Sequence, residues 1–127
     1  MPLPTLLVED SPTIRDNLIA ALGELTDVSV VATAESASQA LALLAEHADW
    51  ELTVLDLFLK EGSGLAVLRA WQRRPAWQHI LVLTNYPTAE IRRRCVELGA
   101  DAVYDKSTEL EAFFERCNAY ARNRRHA

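Results

Sequence analysis

Cysteine is scarce in this 127-residue chain, with Cys95 and Cys117 the only two. They form no CxxC pair and have no metal-ligand spacing, so a thiolate metal site and a disulfide framework are both excluded; two reduced thiols in helix-like stretches are expected. Positive charge is also in short supply. Thirteen Lys and Arg face eighteen Asp and Glu, a net charge of −5, which argues against direct nucleic-acid binding because phosphate backbones demand a basic face. No apolar run approaches the ~18 residues of a membrane span. The opening MPLPTLLVED lacks the basic leader of a signal peptide, so a cytoplasmic protein without membrane contact is expected. Linkers, repeats and low-complexity segments are missing too. One domain spanning 1–127 is expected, long enough to bury its own core.

What the chain does have is alternation. Short apolar runs at 5–10, 28–34, 52–57, 79–84 and 102–106 each precede a stretch with helical periodicity. Ser11 is a plausible N-cap, Pro12 suits the first helical turn, and Ile14, Leu18, Ile19, Leu22 and Leu25 recur at three and four residues. Further helices are expected at 36–47, 65–74, 88–98 and 109–123, with Pro75 closing the third and Gly99 the fourth. Residues 122–127 read as a frayed tail. Five such units imply an α/β fold, a parallel sheet covered by helices on both faces.

Four runs end in residues that phosphate chemistry can use: Glu9 and Asp10, Asp56, Thr84, and Lys106. Parallel strands place those ends on one edge of the sheet, where open α/β sheets bind ligands. Asp56, after apolar Val54 and Leu55, is placed to act as a nucleophile toward phosphorus; alone it reads equally as a turn aspartate. Glu9 and Asp10 beside it would repel it unless a cation sits among them, and Mg²⁺ favours carboxylates completed by water and phosphate oxygens. A helix-dipole role accounts for Asp10 but not for both acids. Lys106 offers a compact charge for a phosphoryl oxygen, and Thr84 a hydroxyl, although threonine simply favours strands. The ordered set is informative where its members are not.

These blocks resemble a two-component response-regulator receiver domain of the stand-alone type. The resemblance rests on Glu9-Asp10, LDLFLKEGSG around Asp56, VLTN around Thr84 and GADAVYDKS around Tyr104 and Lys106. It implies a flavodoxin-like (βα)5 three-layer sandwich with strand order 2-1-3-4-5. It also implies Mg²⁺-dependent phosphoryl transfer from a sensor histidine kinase or a histidine phosphotransfer protein to Asp56. Asp10, Asp56 and the backbone carbonyl of Phe58 would hold the metal, Glu9 would act through water, and Lys106 would pair with the carboxylate or phosphoryl group. Thr84 and Tyr104 would form the switch, turning the surface of the fourth helix, fifth strand and fifth helix toward a downstream protein or a second copy.

Four positions depart from the family pattern. Lys60 stands where proline is common, and Asn85 replaces a small residue after the threonine. Phe58 puts an apolar ring where hydrolysis is tuned, so Phe58 and Asn85 are expected to prolong the phosphorylated state. Ser107 replaces the proline whose bond is usually cis, and a trans bond or a strained cis bond is expected.

Other functions fit less well. An Asp-nucleophile phosphatase needs a second acid two residues after the nucleophile, where Phe58 stands, and room for a substrate cap. A nucleotide- or flavin-binding domain needs a Gly- or Ser/Thr-rich phosphate loop where Glu9-Asp10 stand. A phosphorylation-independent docking module remains the rival, and Arg92, Arg93 and Arg94 would either be solvated, dock an acidic partner, or pair with Asp101 or Glu109 of a second subunit.

Overall fold

A computed structural model describes residues 2–124. Its elements follow in strict alternation: β1 (Leu3–Val8), α1 (Pro12–Leu25), β2 (Val28–Ala34), α2 (Ala37–Glu46), β3 (Leu52–Leu55), α3 (Gly64–Ala70), β4 (His79–Thr84), α4 (Ala89–Glu97), β5 (Ala102–Asp105) and α5 (Leu110–Arg122). The strands form one sheet in the order β2-β1-β3-β4-β5, every pairing parallel. This is the expected flavodoxin-like (βα)5 sandwich.

Alternate residues of each central strand enter opposite cores. Leu6, Val8, Leu55, Ile80 and Val82 pack against Ala40 and Leu44 of α2, Val67 and Leu68 of α3 and Cys95 of α4. Leu3, Leu7, Leu52, Val54, Leu81 and Leu83 pack against Leu18 and Leu22 of α1 and Phe113 and Cys117 of α5. Burial on both faces is why these strands read as continuous apolar runs rather than alternating ones. Both cysteines are free and buried, and burial pushes the Cys117 thiol up to about 12.

The helix starts follow local chemistry. The Ser11, Ser36, Ser63 and Thr88 hydroxyls accept from the amides of Ile14, Gln39, Leu65 and Ile91, each satisfying a donor that the first turn leaves free. Ser36 is thus the cap of α2 and not its first residue. Gly99, at φ +95°, takes the left-handed turn just beyond α4.

Several expected bounds are corrected. The first strand runs 3–8 rather than 5–10, and the third stops at Leu55, so Glu9, Asp10 and Asp56 lie just beyond their strands. The fifth strand likewise ends at Asp105, before Lys106. The third helix ends at Ala70 rather than Arg74. Trp71 leaves the helix to set its ring edge-on to Trp50, 5.9 Å away. Arg74 turns back and donates to the carbonyls of Trp71, Gln78 and Gly99. The expected fray from 122 fails at Arg124, which donates to Glu51 at 2.7 Å and to the Pro2 carbonyl at 2.9 Å; residues 125–127 lie outside the described part. The Lys106–Ser107 peptide is trans, with no cis bond among the described residues. The Ser107 amide, which a proline would lack, donates to Asp105 Oδ1 at 2.7 Å.

Candidate functional site

The site is assembled where β1, β3, β4 and β5 end. After Val8 the chain stays in register for one more step. The Glu9 amide donates to the Ala34 carbonyl at 2.9 Å, and the Asp56 amide donates to the Val8 carbonyl at 3.0 Å. This last pair of ladder bonds carries Glu9 and Asp56 to the edge with their backbones held. Asp10 then sits at the mouth, half-buried, ahead of Ser11 and α1. Carboxylate oxygens of Glu9, Asp10 and Asp56 all lie within 4.8 Å of one another.

Lys106 reaches this cluster from just past β5. Its ammonium lies 2.6 Å from Glu9 Oε1 and 3.2 Å from Asp56 Oδ2. The other oxygen of Glu9 accepts the Ser11 amide at 3.1 Å, and Asp56 Oδ1 accepts the Phe58 amide at 3.3 Å. Glu9 and Asp56 are only 2 % and 6 % exposed. Burial pushes the Glu9 carboxyl above its ordinary value; Lys106 and the Ser11 amide pull it down, the Asp56 charge adds to the rise, and the net effect is upward.

The loop after Asp56 has no slack. Phe58 and Ser63 form an isolated bridge, and the Gly64 amide donates to the Leu57 carbonyl at 3.0 Å. A Cβ on Gly64 would stand 2.3 Å from the Asp56 carbonyl oxygen and 2.6 Å from Leu57 Cα, so only glycine fits beside the Asp56 backbone. Gly62, at φ +81°, makes the turn.

Thr84 is fully buried, and its hydroxyl oxygen accepts the Tyr86 amide at 3.2 Å. Its carbonyl accepts the Lys106 amide at 2.9 Å, tying the two strand ends together. Asn85 is exposed and lines, with Lys106, a cleft of about 410 Å³ between α1 and α5. Tyr104 is 8 % exposed, its ring tilted edge-on to Phe113 at 5.9 Å. Burial pushes its phenol up.

The structure therefore brings Glu9, Asp10, Asp56 and Lys106 into one group, with the Phe58 backbone and Thr84 flanking it. Tyr104 stands on β5 beside that group, and Asn85 faces the neighbouring cleft. Three features escaped the sequence reading. Gly64 carried no signal beyond being a glycine in a loop. Tyr86 offered none, yet its exposed ring meets Phe58. Arg92 bonds Glu109 of its own chain at 2.7 Å, not that of a second subunit, and Asp101 is likewise taken by Arg74 at 2.8 Å. Arg93 pairs along its helix with Glu97.

The chemistry of the donor set fits a hard divalent cation. Three carboxylates and one ammonium leave a formal charge of −2, and oxygen donors suit Mg²⁺. Among the described residues no helix is long and apolar enough to cross a membrane.

The profile of the response regulator receiver domain matches residues 5–118. The chain is 32% identical over 110 residues to the transcriptional regulatory protein PmrA of Pectobacterium parmentieri, covering 84% of this chain and 48% of that protein. It is 30% identical over 120 residues to the transcriptional regulatory protein PhoP of Escherichia coli (strain K12), covering 92% and 51%. It thus spans about half the length of the curated relatives it matches. Among solved structures, a LuxR-family two-component response regulator from Aurantimonas superposes with a TM-score of 0.83 at 25% identity, covering 98% of this chain and 89% of that one. The BeF3-activated N-terminal receiver domain of Klebsiella pneumoniae RstA gives 0.79 at 26% identity, covering 94% and 98%.

Proposed function

The chain belongs to the response regulator receiver domain family, and on that premise we propose that Asp56 accepts a phosphoryl group from the phosphohistidine of a sensor histidine kinase or histidine phosphotransfer protein. The observation that carries this reading is the group at the strand ends: three carboxylates within 4.8 Å, two of them joined by one ammonium. In the transfer, an Asp56 oxygen bonds to phosphorus, the P–N bond breaks, and its electron pair leaves with the imidazole. Bound among Glu9, Asp10 and Asp56, with the Phe58 carbonyl as a further donor, Mg²⁺ would supply charge neutralisation for the moving phosphoryl group.

The chain's own residues do the rest. The Phe58 amide on Oδ1 and the Lys106 ammonium near Oδ2 fix the orientation of the Asp56 carboxylate. Once Asp56 is an acyl phosphate its negative charge lies further out, on the phosphoryl oxygens, and Lys106, 3.2 Å from Oδ2, is close enough to follow. Glu9, with both oxygens engaged, acts on the metal through water and holds Lys106 in place. The Thr84 hydroxyl accepts one bond and keeps its proton to donate to a phosphoryl oxygen. With Tyr104 it forms the switch, and the α4-β5-α5 surface is the output face for a downstream protein or a second copy. Phe58 and Asn85 slow hydrolysis by crowding the approach. This is a phosphoacceptor rather than a turnover enzyme, working in the cytoplasm.

Intact mass after incubation with Mg²⁺ and acetyl phosphate tests the assignment. A gain of about 80 Da is expected, absent in Asp56→Ala and without Mg²⁺. No gain from acetyl phosphate or from a kinase donor would sink it.

A further inference from the structure

The turn between β2 and α2 supplies no member of the strand-end group, yet it is bonded to the chain on two sides of that group. The Glu9 amide donates to the Ala34 carbonyl at 2.9 Å, and three residues later the Ala37 amide donates to the Glu61 carbonyl at 3.0 Å. Glu61 lies in the loop after β3, which also carries the Phe58 carbonyl. In the sheet β1 stands between β2 and β3. The loop after β3 thus reaches a turn that belongs to β2, with the acidic pair after β1 between them. Arg15 of α1 fastens the same turn from a third side, pairing with Glu35 at 3.3 Å.

Small residues make the contact close. Gly62 has a positive φ, and a Cβ added there would collide with the Ala37 Cβ, so a longer side chain at either position pushes the loop off the helix. Ala37 is buried at 8% exposure, whereas Phe58, Lys60, Glu61 and Gly62 are exposed. Leu59 gives the loop a second hold on this side, packing against the core cluster that includes Ala37. Ala37 is the first residue of α2, after its cap Ser36, so its amide is one of the donors that a helix leaves free. Water would satisfy that donor equally well, so helix formation does not explain the bond to Glu61.

Resting on the phosphoacceptor reading, we infer that the β2–α2 turn braces the cation site and that Ala37 is a positioning residue for Mg²⁺. Its amide holds the loop after β3 against α2, so that the loop's carbonyl donor and the carboxylates are presented to one cation together. A donor that must be reordered on binding weakens a metal site, and losing a group that orients a ligand costs about 10- to 100-fold in metal affinity. The brace acts on the cation and not on the phosphoryl group. None of residues 34–37 belongs to the cluster of Glu9, Asp10, Asp56 and Lys106, so with Mg²⁺ saturating the transfer runs as in the parent.

Ala37→Pro isolates the bond. Proline suits the first position of a helix, and Ser36 before it is already extended, at φ −137° and ψ 166°. Helix α2 is therefore kept while the donor to Glu61 is lost. Ala37→Val disturbs the same contact by bulk, and Ala42→Gly, on the exposed face of α2, loosens the helix without touching the loop. For each unphosphorylated protein the urea midpoint is followed as Mg²⁺ is raised from chelator, which gives the Mg²⁺ dissociation constant. Phosphoryl uptake from acetyl phosphate is followed by intact mass over the same range. Ala37→Pro and Ala37→Val are expected to raise the dissociation constant and the half-saturating Mg²⁺ about tenfold or more, with uptake at saturating Mg²⁺ close to the parent's. Ala42→Gly should lower the midpoint in chelator and keep the parent's Mg²⁺ dissociation constant. An Ala37→Pro protein that binds Mg²⁺ like the parent, or an Ala42→Gly protein that loses as much affinity, would overturn the brace while leaving the phosphoacceptor intact. A parent whose midpoint ignores Mg²⁺ and that takes up no phosphoryl group would overturn both.

Discussion

Lys106→Met removes one positive charge while preserving the length of the side chain, and the structure sets the cost. The ammonium stands 2.6 Å from Glu9 and 3.2 Å from Asp56, and the three side chains are only 11%, 2% and 8% exposed. At an effective dielectric of about 20 those two contacts are gross attractions of about 6 and about 5 kcal/mol. Most of each is offset by the desolvation of Lys106 itself, so the sum overstates the net. Removing one partner is different from replacing the group, because the carboxylates stay buried without a counter-charge. That situation costs about 3–5 kcal/mol, a large part of the ~5–15 kcal/mol that holds a domain together. Burial already pushes Glu9 up with the lysine in place, which marks how little water reaches it. Urea unfolding at neutral pH in chelator is the assay, with an unchanged slope required for the midpoint to be read as stability. Adding Mg²⁺ should narrow the gap between variant and parent, because the variant's site has lost its own cation beside Glu9 and Asp56 and binds Mg²⁺ more tightly, and a ligand bound only to the folded state stabilises it the more the further its concentration exceeds Kd. A loss under about 1 kcal/mol, the scale of an exposed pair, would refute the reasoning. So would a gap that Mg²⁺ leaves unchanged.

Other outcomes follow from the same geometry. Gly64→Ala puts a methyl into the Asp56 backbone and should cost about 1–3 kcal/mol and slow phosphoryl uptake; urea unfolding and mass spectrometry with an unaltered result would remove Gly64 from the site. Phe58→Asn and Asn85→Ala should each lose the phosphoryl group faster than the parent, and decay rates no faster than the parent's would sink the crowding argument. The Asp101 carboxyl is pushed up by burial, but His79, the Ile80 amide and Arg74 more than offset this and hold it below its ordinary 3.8. The folded state therefore binds that proton less readily than the unfolded chain, so the stabilisation is complete above the ordinary value and is lost as pH falls through the depressed one. Asp101→Asn should lose about 1–2 kcal/mol at neutral pH and much less in acid, and parallel stability curves for the two proteins would contradict the assignment.

The architecture was readable because a buried parallel sheet writes itself into the chain as apolar runs and its helices begin with side chains that cap. Val54 and Leu55 before Asp56, or Leu81 to Leu83 before Thr84, leave little choice of strand. Strand ends were read one or two residues too far for a physical reason: Glu9 and Asp56 each keep one ladder hydrogen bond after strand geometry ends, so polarity and pairing stop at different places. The third helix overran because its periodicity continued to Pro75, and nothing local reveals that Trp71 pairs with Trp50 or that Arg74 folds back onto three carbonyls. Strand order was not in the residues at all; it came with the family resemblance.

The gathering of the site shows where reading along a chain stops. Asp10, Asp56 and Lys106 are legible because each follows an apolar run, and a parallel sheet sends every such residue to the same edge whatever the strand order. Contacts within that edge depend on which strands are neighbours. Phe58 can meet Tyr86 only because β3 lies beside β4, and Lys106 can reach across to Glu9 only because its side chain is long enough to pass the intervening strands from β5 toward β1. The ammonium on Glu9 gives the two acids different settings, where the residues alone left them alike and only the family resemblance set Asp10 at the metal and Glu9 behind water. Glu9 is spent on Lys106 and the Ser11 amide, whereas Asp10 remains half-buried at the mouth. Adjacent acids therefore differ in setting because the last ladder hydrogen bond falls on Glu9, one residue past the end of β1: the residue still held by the ladder is buried, and the next stands half-buried at the opening.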